Sequence, residues 1–210
     1  LVSFVAATTR PIDSIELSTA EMGLLSVLSW LGVLLVAHDG ITDGERLRKL
    51  LRWTAVAAGL LGVFGLLQFT TGRAFTDLIH IPGLSANVPL YGVANRDGFA
   101  RPAATALSPI EFGVFLTICL PLALHHAFLG PAPALRRWLP VAGIVAAIPL
   151  SISRSAVIGT VVVLAFLLPS WSAARRWGAA LISVCVLLIF FVLVPGMLGS
   201  ILKLFTGISG

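Results

Sequence analysis

The amino-acid sequence predicts an all-α, polytopic integral membrane protein with about six transmembrane helices and one long extracytoplasmic loop. Two observations carry this prediction. Hydrophobic residues make up 58% of the chain and charged residues only 11%, whereas an average soluble domain is about 25% charged. The apolar residues also fall in runs of roughly bilayer-spanning length, separated by polar or basic connectors. We expect residues 1–210 to form a single transmembrane domain that is a fragment of a longer chain.

The formal net charge of +5 comes mostly from arginines at the predicted helix ends. No basic run is interleaved with exposed aromatic residues, so we expect no nucleic-acid partner. The apolar runs indicate instead that the partner is the lipid bilayer. Cys119 and Cys185 lie inside apolar runs, which is typical of buried small residues rather than of a disulfide or a zinc site. His125 and His126 have no carboxylate or cysteine at ligand spacing. We therefore expect neither a metal nor a cofactor.

Three spans are expected before residue 130, at about 19–37, 53–69 and 109–129. Three capping boxes mark helix starts, at Ser18–Glu21, Thr42–Glu45 and Ser108–Glu111. The second box predicts a short surface helix over 45–51 before the second span. Residues 70–107 form the long loop, and a loop of that length in a compact protein is usually functional.

The stretch from Trp138 to Trp171 is almost wholly apolar apart from Arg154, and it allows two interpretations. A single helix over 138–168 would be about 45 Å long, which exceeds a ~30 Å bilayer core unless the helix tilts strongly. A hairpin would reverse after Pro149, because proline breaks or kinks a helix. We favour the hairpin, with its turn at 151–155 sunk below the membrane surface and a last span over 177–194.

The positive-inside rule gives this hairpin topology an orientation. The loops after the first, third and fifth helices then share one side, and they carry the tightest basic clusters. The second, fourth and sixth helices each open with a basic residue followed by tryptophan: Arg52-Trp53, Arg137-Trp138 and Arg176-Trp177. We expect this side to be cytoplasmic. The long loop and Arg154 then lie on the outer side.

On that topology Arg101, in the long loop, faces the same compartment as Arg154. Two fixed positive charges suit an anionic ligand such as a phosphate or pyrophosphate. The helices that begin near Ser108 and Ser155 add free amides and the positive ends of their dipoles. The alternative is that Arg154 reaches the lipid headgroups or pairs with a helix-end carbonyl. A charged residue among apolar helices indicates a functional site by default. Both interpretations of Arg154 therefore stay open.

Two runs carry a resemblance to a known family. Residues 101–113 (RPAATALSPIEFG) and Leu150–Ala156 (LSISRSA) resemble, respectively, the start of the core and the Ser-Arg-small signature of the O-antigen ligase and O-antigen polymerase superfamily. The order, the separation and the intervening hairpin are also similar, over roughly residues 69–168. Glu111 stands where many members carry asparagine. No residue here matches the histidine that members carry in a later outer loop.

The resemblance implies a metal-independent glycosyltransferase at the outer face of the bacterial inner membrane. Its donor would be an oligosaccharide linked to undecaprenyl pyrophosphate, and its acceptor a lipid-linked or surface glycan. Arg154 and Arg101 would be catalytic, because they would hold the pyrophosphate and stabilise the charge on the leaving group. The expected substrate-binding residues are Arg96, Ser153, Ser155 and Glu111.

Two other functions stay open. A transporter or flippase for lipid-linked or anionic solutes would use the same arginines for binding without chemistry. Such a protein usually shows internal repeats with interrupted helices, and the sequence shows no repeat beyond the basic-tryptophan helix starts. A purely structural membrane subunit is the third reading, which the long outer loop disfavours.

Overall fold

The computed structural model describes residues 14–75, 93–96, 98–194, 196 and 199, which are mostly helical. The helices are α1 (Ser14–Gly40), α2 (Gly44–Thr71), α3 (Pro109–Leu129), α4 (Ala134–Ala147), α5 (Arg154–Leu167) and α6 (Ala173–Leu193). Short 3-10 turns at Pro149–Ser151 and Leu168–Ser170 follow α4 and α5. Strands β1 (Ala94–Arg96) and β2 (Phe99–Arg101) form a small antiparallel hairpin between α2 and α3.

Four helical segments of the described chain are long and apolar enough to cross a membrane: Glu16–Gly40, Gly44–Thr71, Pro109–Leu129 and Ala134–Ser151. The segment Arg154–Ser170 is apolar but shorter. Large apolar side chains such as Trp30, Leu60 and Ile118 are exposed, which fits a surface that faces lipid. The prediction of a helical membrane protein is thus confirmed. The number of about six spans stays a prediction, and residues 76–92 of the long loop lie outside the described residues.

The first capping box is not a helix start. Helix α1 is already helical at Ser14, so Ser18–Glu21 lies inside the helix, and the expected start at residue 19 is wrong. The residues from 14 to 18 contain neither proline nor glycine, and nothing in them opposes an earlier helical start.

The short surface helix and the second span are one helix. Helix α2 runs without interruption from Gly44 to Thr71, so the expected division between 45–51 and 53–69 is wrong. Residues 50–53 contain no glycine or proline to break a helix. The capping residue also differs from the expected Thr42, because Asp43 Oδ1 accepts the Arg46 N–H at 2.7 Å.

The chain divides into two compact units, Leu1–Leu50 and Leu51–Gly210. In the first unit the side chains of α1 are almost all exposed. Three ion pairs between described residues of this unit are local and solvent-exposed, and they join His38 to Asp39, Arg46 to Asp43 and Lys49 to Glu45. The single transmembrane domain expected for the whole chain stays a prediction.

The second unit is built around α3, whose buried side chains include Phe112, Leu116 and Leu120. Helix α2 approaches α4 very closely, since a Cβ atom placed on Gly143 would lie 2.5 Å from the Gly59 carbonyl oxygen. A Cβ atom on Gly62 would overlap the Gly143 backbone in the same way. Small residues at such a crossing let two membrane helices pack backbone to backbone.

The chain reverses between α4 and α5. Helix α5 runs parallel to α3, because Ala156 lies beside Gly113 and Thr160 lies one turn further on, beside Thr117. At the other end of α3, the Phe128 ring meets the rings of both Trp138 and Trp171, each at a centroid distance of 5.3 Å. The stretch from Trp138 to Trp171 therefore leaves that end and returns to it. The hairpin prediction is confirmed, and the single long helix is excluded.

The reversal is a buried turn. Pro149 opens the 3-10 turn, and Ile152 follows in the left-handed conformation with φ 42° and ψ 52°. This conformation is rare and costly for a β-branched residue. Leu150 and Ile152 pack against Leu66, Phe69, Phe99 and Val194. Non-helical backbone is tolerated at membrane depth where protein covers it, and these side chains provide that cover.

Candidate anion site at the buried turn

The turn end of the second unit is the end at which α3 and α5 begin and the turn Ser151–Ser153 lies. Ser151 and Ser153 are only 0% and 3% exposed. Gly113, in the first turn of α3, allows the close approach. A Cβ atom placed on it would lie 2.6 Å from Ser151 Oγ and 2.8 Å from Ala156 Cβ. The absence of a side chain at Gly113 thus lets both the turn and α5 pack against the start of α3.

Arg101 is attached to this turn. It is the last residue of β2, it is half-buried, and its Nε donates a hydrogen bond to the Ser151 carbonyl oxygen at 3.0 Å. The two residues are 50 positions apart in the chain. The next residue, Pro102, is fully buried. The hydrogen bond holds the Arg101 guanidinium against Ser151, which lies three positions before Arg154 in the chain.

Gln68 holds the segment that follows Arg101, and the sequence did not single this residue out. Its side chain is buried near the end of α2, with 2% exposure. Its Nε2 donates to the carbonyl oxygens of Ala74 (2.6 Å) and Ala104 (3.0 Å), and its Oε1 accepts the Ala104 N–H at 2.8 Å. Ala104 has a positive φ of 52°. One buried amide thus joins the two described ends of the long loop.

Arg154 has a different setting. It is the first residue of α5, it is exposed, and its side chain makes no hydrogen bond or ion pair with the residues that the structure describes. Arg154 therefore does not make the alternative contact with a helix-end carbonyl among the described residues, and the Ser151 carbonyl at the end of the 3-10 turn is bound by Arg101. Ser153 occupies the N-cap position without a capping hydrogen bond from its side chain, and Ser155 is exposed. Among the residues described, no side-chain hydrogen bond from the N-cap residue satisfies the first amides of α5.

Glu111 completes the start of α3. Its N–H donates to Ser108 Oγ at 3.2 Å, which confirms Ser108 as the N-cap residue. Its carboxylate accepts the N–H of Leu107 at 3.2 Å, one residue earlier than a standard capping box requires. The carboxylate is exposed at the turn end, where it serves the helix start.

Of Arg96, a residue expected to bind substrate, the structure describes only the backbone. It lies at the end of β1 and pairs with Phe99 across the β-hairpin, and its side chain lies outside the described residues. Asp77 and His80 of the long loop also lie outside them.

The turn end can bind an anion. It combines one guanidinium held by the turn, a second that is exposed, and the uncapped amides at the start of α5. Arginine offers paired donors that match phosphate oxygens, and a helix N-terminus adds exposed amides and a positive dipole end. Within the described ranges, no group of three His, Cys, Asp or Glu side chains is placed to bind a metal ion. The chemistry that this arrangement supplies is stabilisation of negative charge.

The comparisons with known proteins give no family for this chain. No protein-family model, no characterised protein and no solved structure matches it.

Proposed function

We propose that this chain belongs to a membrane glycosyltransferase of the O-antigen ligase and polymerase type, and that the turn end holds the pyrophosphate of its lipid-linked donor. The observation that carries the proposal is the hydrogen bond from Arg101 to the Ser151 carbonyl. It joins the two runs whose resemblance to that superfamily was read from the sequence. Arg101, one of the two arginines that the resemblance implies as catalytic, thus binds the turn three residues before the other, Arg154.

The distribution of charge supports an outward-facing site. The basic residues at the opposite end of the second unit gather around one aromatic cluster. His126 lies within electrostatic reach of Arg52 and Arg137 there, and the guanidinium of Arg175 stands over the Phe128 ring. The positive-inside rule predicts that such an end is cytoplasmic. The turn end would then face outward at the bacterial inner membrane, where a lipid-linked glycan could be transferred.

The proposed reaction is the displacement of a pyrophosphate. A hydroxyl oxygen of the acceptor glycan attacks the anomeric carbon of the donor sugar. The bond from that carbon to the pyrophosphate oxygen breaks, its electron pair stays with the undecaprenyl pyrophosphate, and the hydroxyl proton leaves to a base or to solvent. Negative charge grows on the pyrophosphate during this step. Arg101 is already oriented by Ser151, and such preorganised donors stabilise developing charge most effectively.

The test is glycan transfer in membranes that contain the full-length protein. Product from a pyrophosphate-linked donor is compared for the wild type, Arg154→Lys, Arg154→Ala and Arg101→Lys, at equal protein levels. We expect each variant to lose about 100-fold in rate. Lysine keeps the charge but not the paired donors of arginine, and alanine keeps neither. Arg73→Lys is the matched control, since Arg73 is an exposed arginine near the end of α2.

Two outcomes would contradict the proposal. Unchanged transfer in both Arg154 variants would mean that this side chain only reaches lipid headgroups. Movement of the lipid-linked donor across the bilayer without transfer, lost in the same variants, would favour the flippase.

A further inference from the structure

The end of the second unit opposite the turn end, the basic end, is built on an aromatic cluster. The rings of Trp138 and Trp171 meet the Phe128 ring nearly edge-on, with interplanar angles of 88° and 74°. The Cζ atom of Arg175 lies 5.0 Å from the Phe128 ring centroid. Aromatic rings hold a guanidinium by cation–π attraction while leaving its edge donors available. Arg175 is thus positioned over the cluster and remains exposed.

A second arginine of this end has spare donor capacity. Arg137 Nη1 donates to the Gly130 carbonyl oxygen at 2.8 Å, which fixes the side chain. Its Nε is buried and has no hydrogen-bond partner among the residues described. Arg176 differs, because its Nε and Nη2 donate to the carbonyl oxygens of Trp171 and Pro169. The Arg137 guanidinium is thus held in place by a backbone carbonyl, and it forms no ion pair with a described residue.

The part of this end that follows α3 carries no negative charge of its own. No aspartate or glutamate follows Glu111, and Glu111 lies at the turn end. Arg52 and Arg137 are nevertheless both close enough to His126 to influence it electrostatically. In the first unit the carboxylates of Asp43 and Glu45 pair with the adjacent cations Arg46 and Lys49. The arginines of α4 and α6 therefore have no carboxylate on their own helices to pair with, and an anion from the surroundings would balance their charge.

We propose that the basic end binds an anionic phospholipid, with Arg137 and Arg175 contacting the headgroup phosphate. The apolar surface beside these arginines identifies a lipid rather than a soluble phosphate. Leu129, Leu135 and Leu139 are 67%, 77% and 58% exposed, and they offer a surface on which an acyl chain can lie. Basic pockets between membrane helices on the cytoplasmic side recognise anionic headgroups in this way. This site is separate from the turn end and does not depend on the proposed transferase activity.

Lipid binding to the purified protein in a non-ionic detergent tests the proposal. Phosphatidylglycerol and phosphatidylcholine with the same acyl chains are titrated, and the bound lipid is counted by native mass spectrometry. We expect phosphatidylglycerol to bind about tenfold more tightly than phosphatidylcholine, because its net negative charge is not cancelled by a choline group. Arg137→Gln and Arg175→Gln should each remove most of that preference without changing the weak binding of phosphatidylcholine. The matched control is Arg73→Gln, which removes one exposed arginine near the turn end.

Arg175→Gln keeps the test decisive if Arg137→Gln weakens the fold, since Arg175 is exposed. Equal binding of the two lipids, or a full preference retained in Arg175→Gln, would overturn the proposal. A third titration uses inorganic phosphate alone and follows the midpoint of thermal unfolding. If phosphate raises the midpoint as much as phosphatidylglycerol does, and only when both arginines are present, the site is one for soluble phosphate and the lipid assignment is wrong.

Discussion

The turn end and the basic end of the second unit both carry arginines, and they hold them in different ways. At the turn end Arg101 is half-buried and hydrogen-bonded to the backbone of a fully buried turn. At the basic end Arg175 is exposed and rests on the Phe128 ring. A backbone hydrogen bond in apolar surroundings fixes a guanidinium in position, whereas an aromatic ring leaves it free to follow a mobile partner. The first arrangement suits a reaction centre and the second suits a fluid lipid.

The largest effect should come from Gln68→Leu, which removes the amide behind the turn end. Three backbone groups would lose their partner, namely the Ala104 N–H and the carbonyls of Ala104 and Ala74. We expect a loss of about 3 kcal/mol in the free energy of unfolding, because buried unsatisfied groups cost about 1–3 kcal/mol each and leucine regains part of this by apolar packing. Hydrogen exchange at the Ala104 amide should accelerate strongly. Thr70→Val, which changes an exposed residue of the same helix, is the control, and equal protection of Ala104 in both variants would refute the role of Gln68.

Gly113→Ala should have the next largest effect, because it forces the turn away from α3. The new methyl group would overlap Ser151 Oγ and Ala156 Cβ, and overpacking of this kind costs about 1–3 kcal/mol. Gly178→Ala is the matched control, since Gly178 lies in α6 with no atom within 4 Å of an added Cβ. That variant should gain about 0.5 kcal/mol from helix propensity. Midpoints of thermal unfolding in detergent compare the two variants, and a fall of the same size in both would disprove the close contact.

A smaller effect separates the two arginines of the turn end. Arg101→Lys should cost about 1 kcal/mol in unfolding free energy, because the lysine ammonium does not reproduce the fixed Nε donor to Ser151. Arg154→Lys should change the unfolding free energy by less than about 0.5 kcal/mol, since Arg154 is exposed. Thermal unfolding of both proteins measures the contrast. Equal destabilisation would mean that Arg154 also has a structural role.

The smallest effect is expected for Arg175 at the basic end, and a larger one for the aromatic ring beneath it. Arg175→Gln should lower the unfolding free energy by about 0.5 kcal/mol at most when no phospholipid is present, because an exposed cation–π contact contributes little. Phe128→Leu should cost more, about 2 kcal/mol, since it removes two edge-on ring contacts. Unfolding in lipid-free detergent gives both values. A loss for Arg175→Gln as large as that for Phe128→Leu would contradict the view that this arginine serves a partner rather than the fold.

The local features of the fold could be predicted from the sequence. Pro149 and the limited thickness of a bilayer together required a reversal in the stretch from Trp138 to Trp171. Ser108 followed by Pro109 gave the start of α3 correctly. Where the local signal was ambiguous the prediction was wrong, as in α2. There the capping pattern and the basic segment that follows it were interpreted as a separate helix. No residue between that segment and the second span interrupts helical geometry.

The contacts that build the candidate site could not be predicted, because they depend on distant residues. Arg101 and Arg154 were expected on one face from the topology alone. The bond of Arg101 to Ser151 crosses 50 residues, and that of Gln68 to Ala104 crosses 36. One signal was present in the sequence, since Gln68 carries the one amide side chain in the span 53–69. A lone amide in such a span needs partners, and its position near the long loop could have indicated where they lie.

The packing of α5 determines the direction in which Arg154 points, although the Arg154 side chain makes no hydrogen bond or ion pair in the described part of the chain. Gly159 and Thr160 lie against Thr117 and fix the rotation of the helix about its axis. Because an α-helix turns about 100° per residue, the insertion of one residue between Arg154 and Ser155 would swing the guanidinium to a different side while the contacts of Ala156, Gly159 and Thr160 stayed in place. The number of residues between the arginine and the packed glycine is therefore itself a design parameter. A transplanted version of this site would need that spacing as much as it needs the arginine.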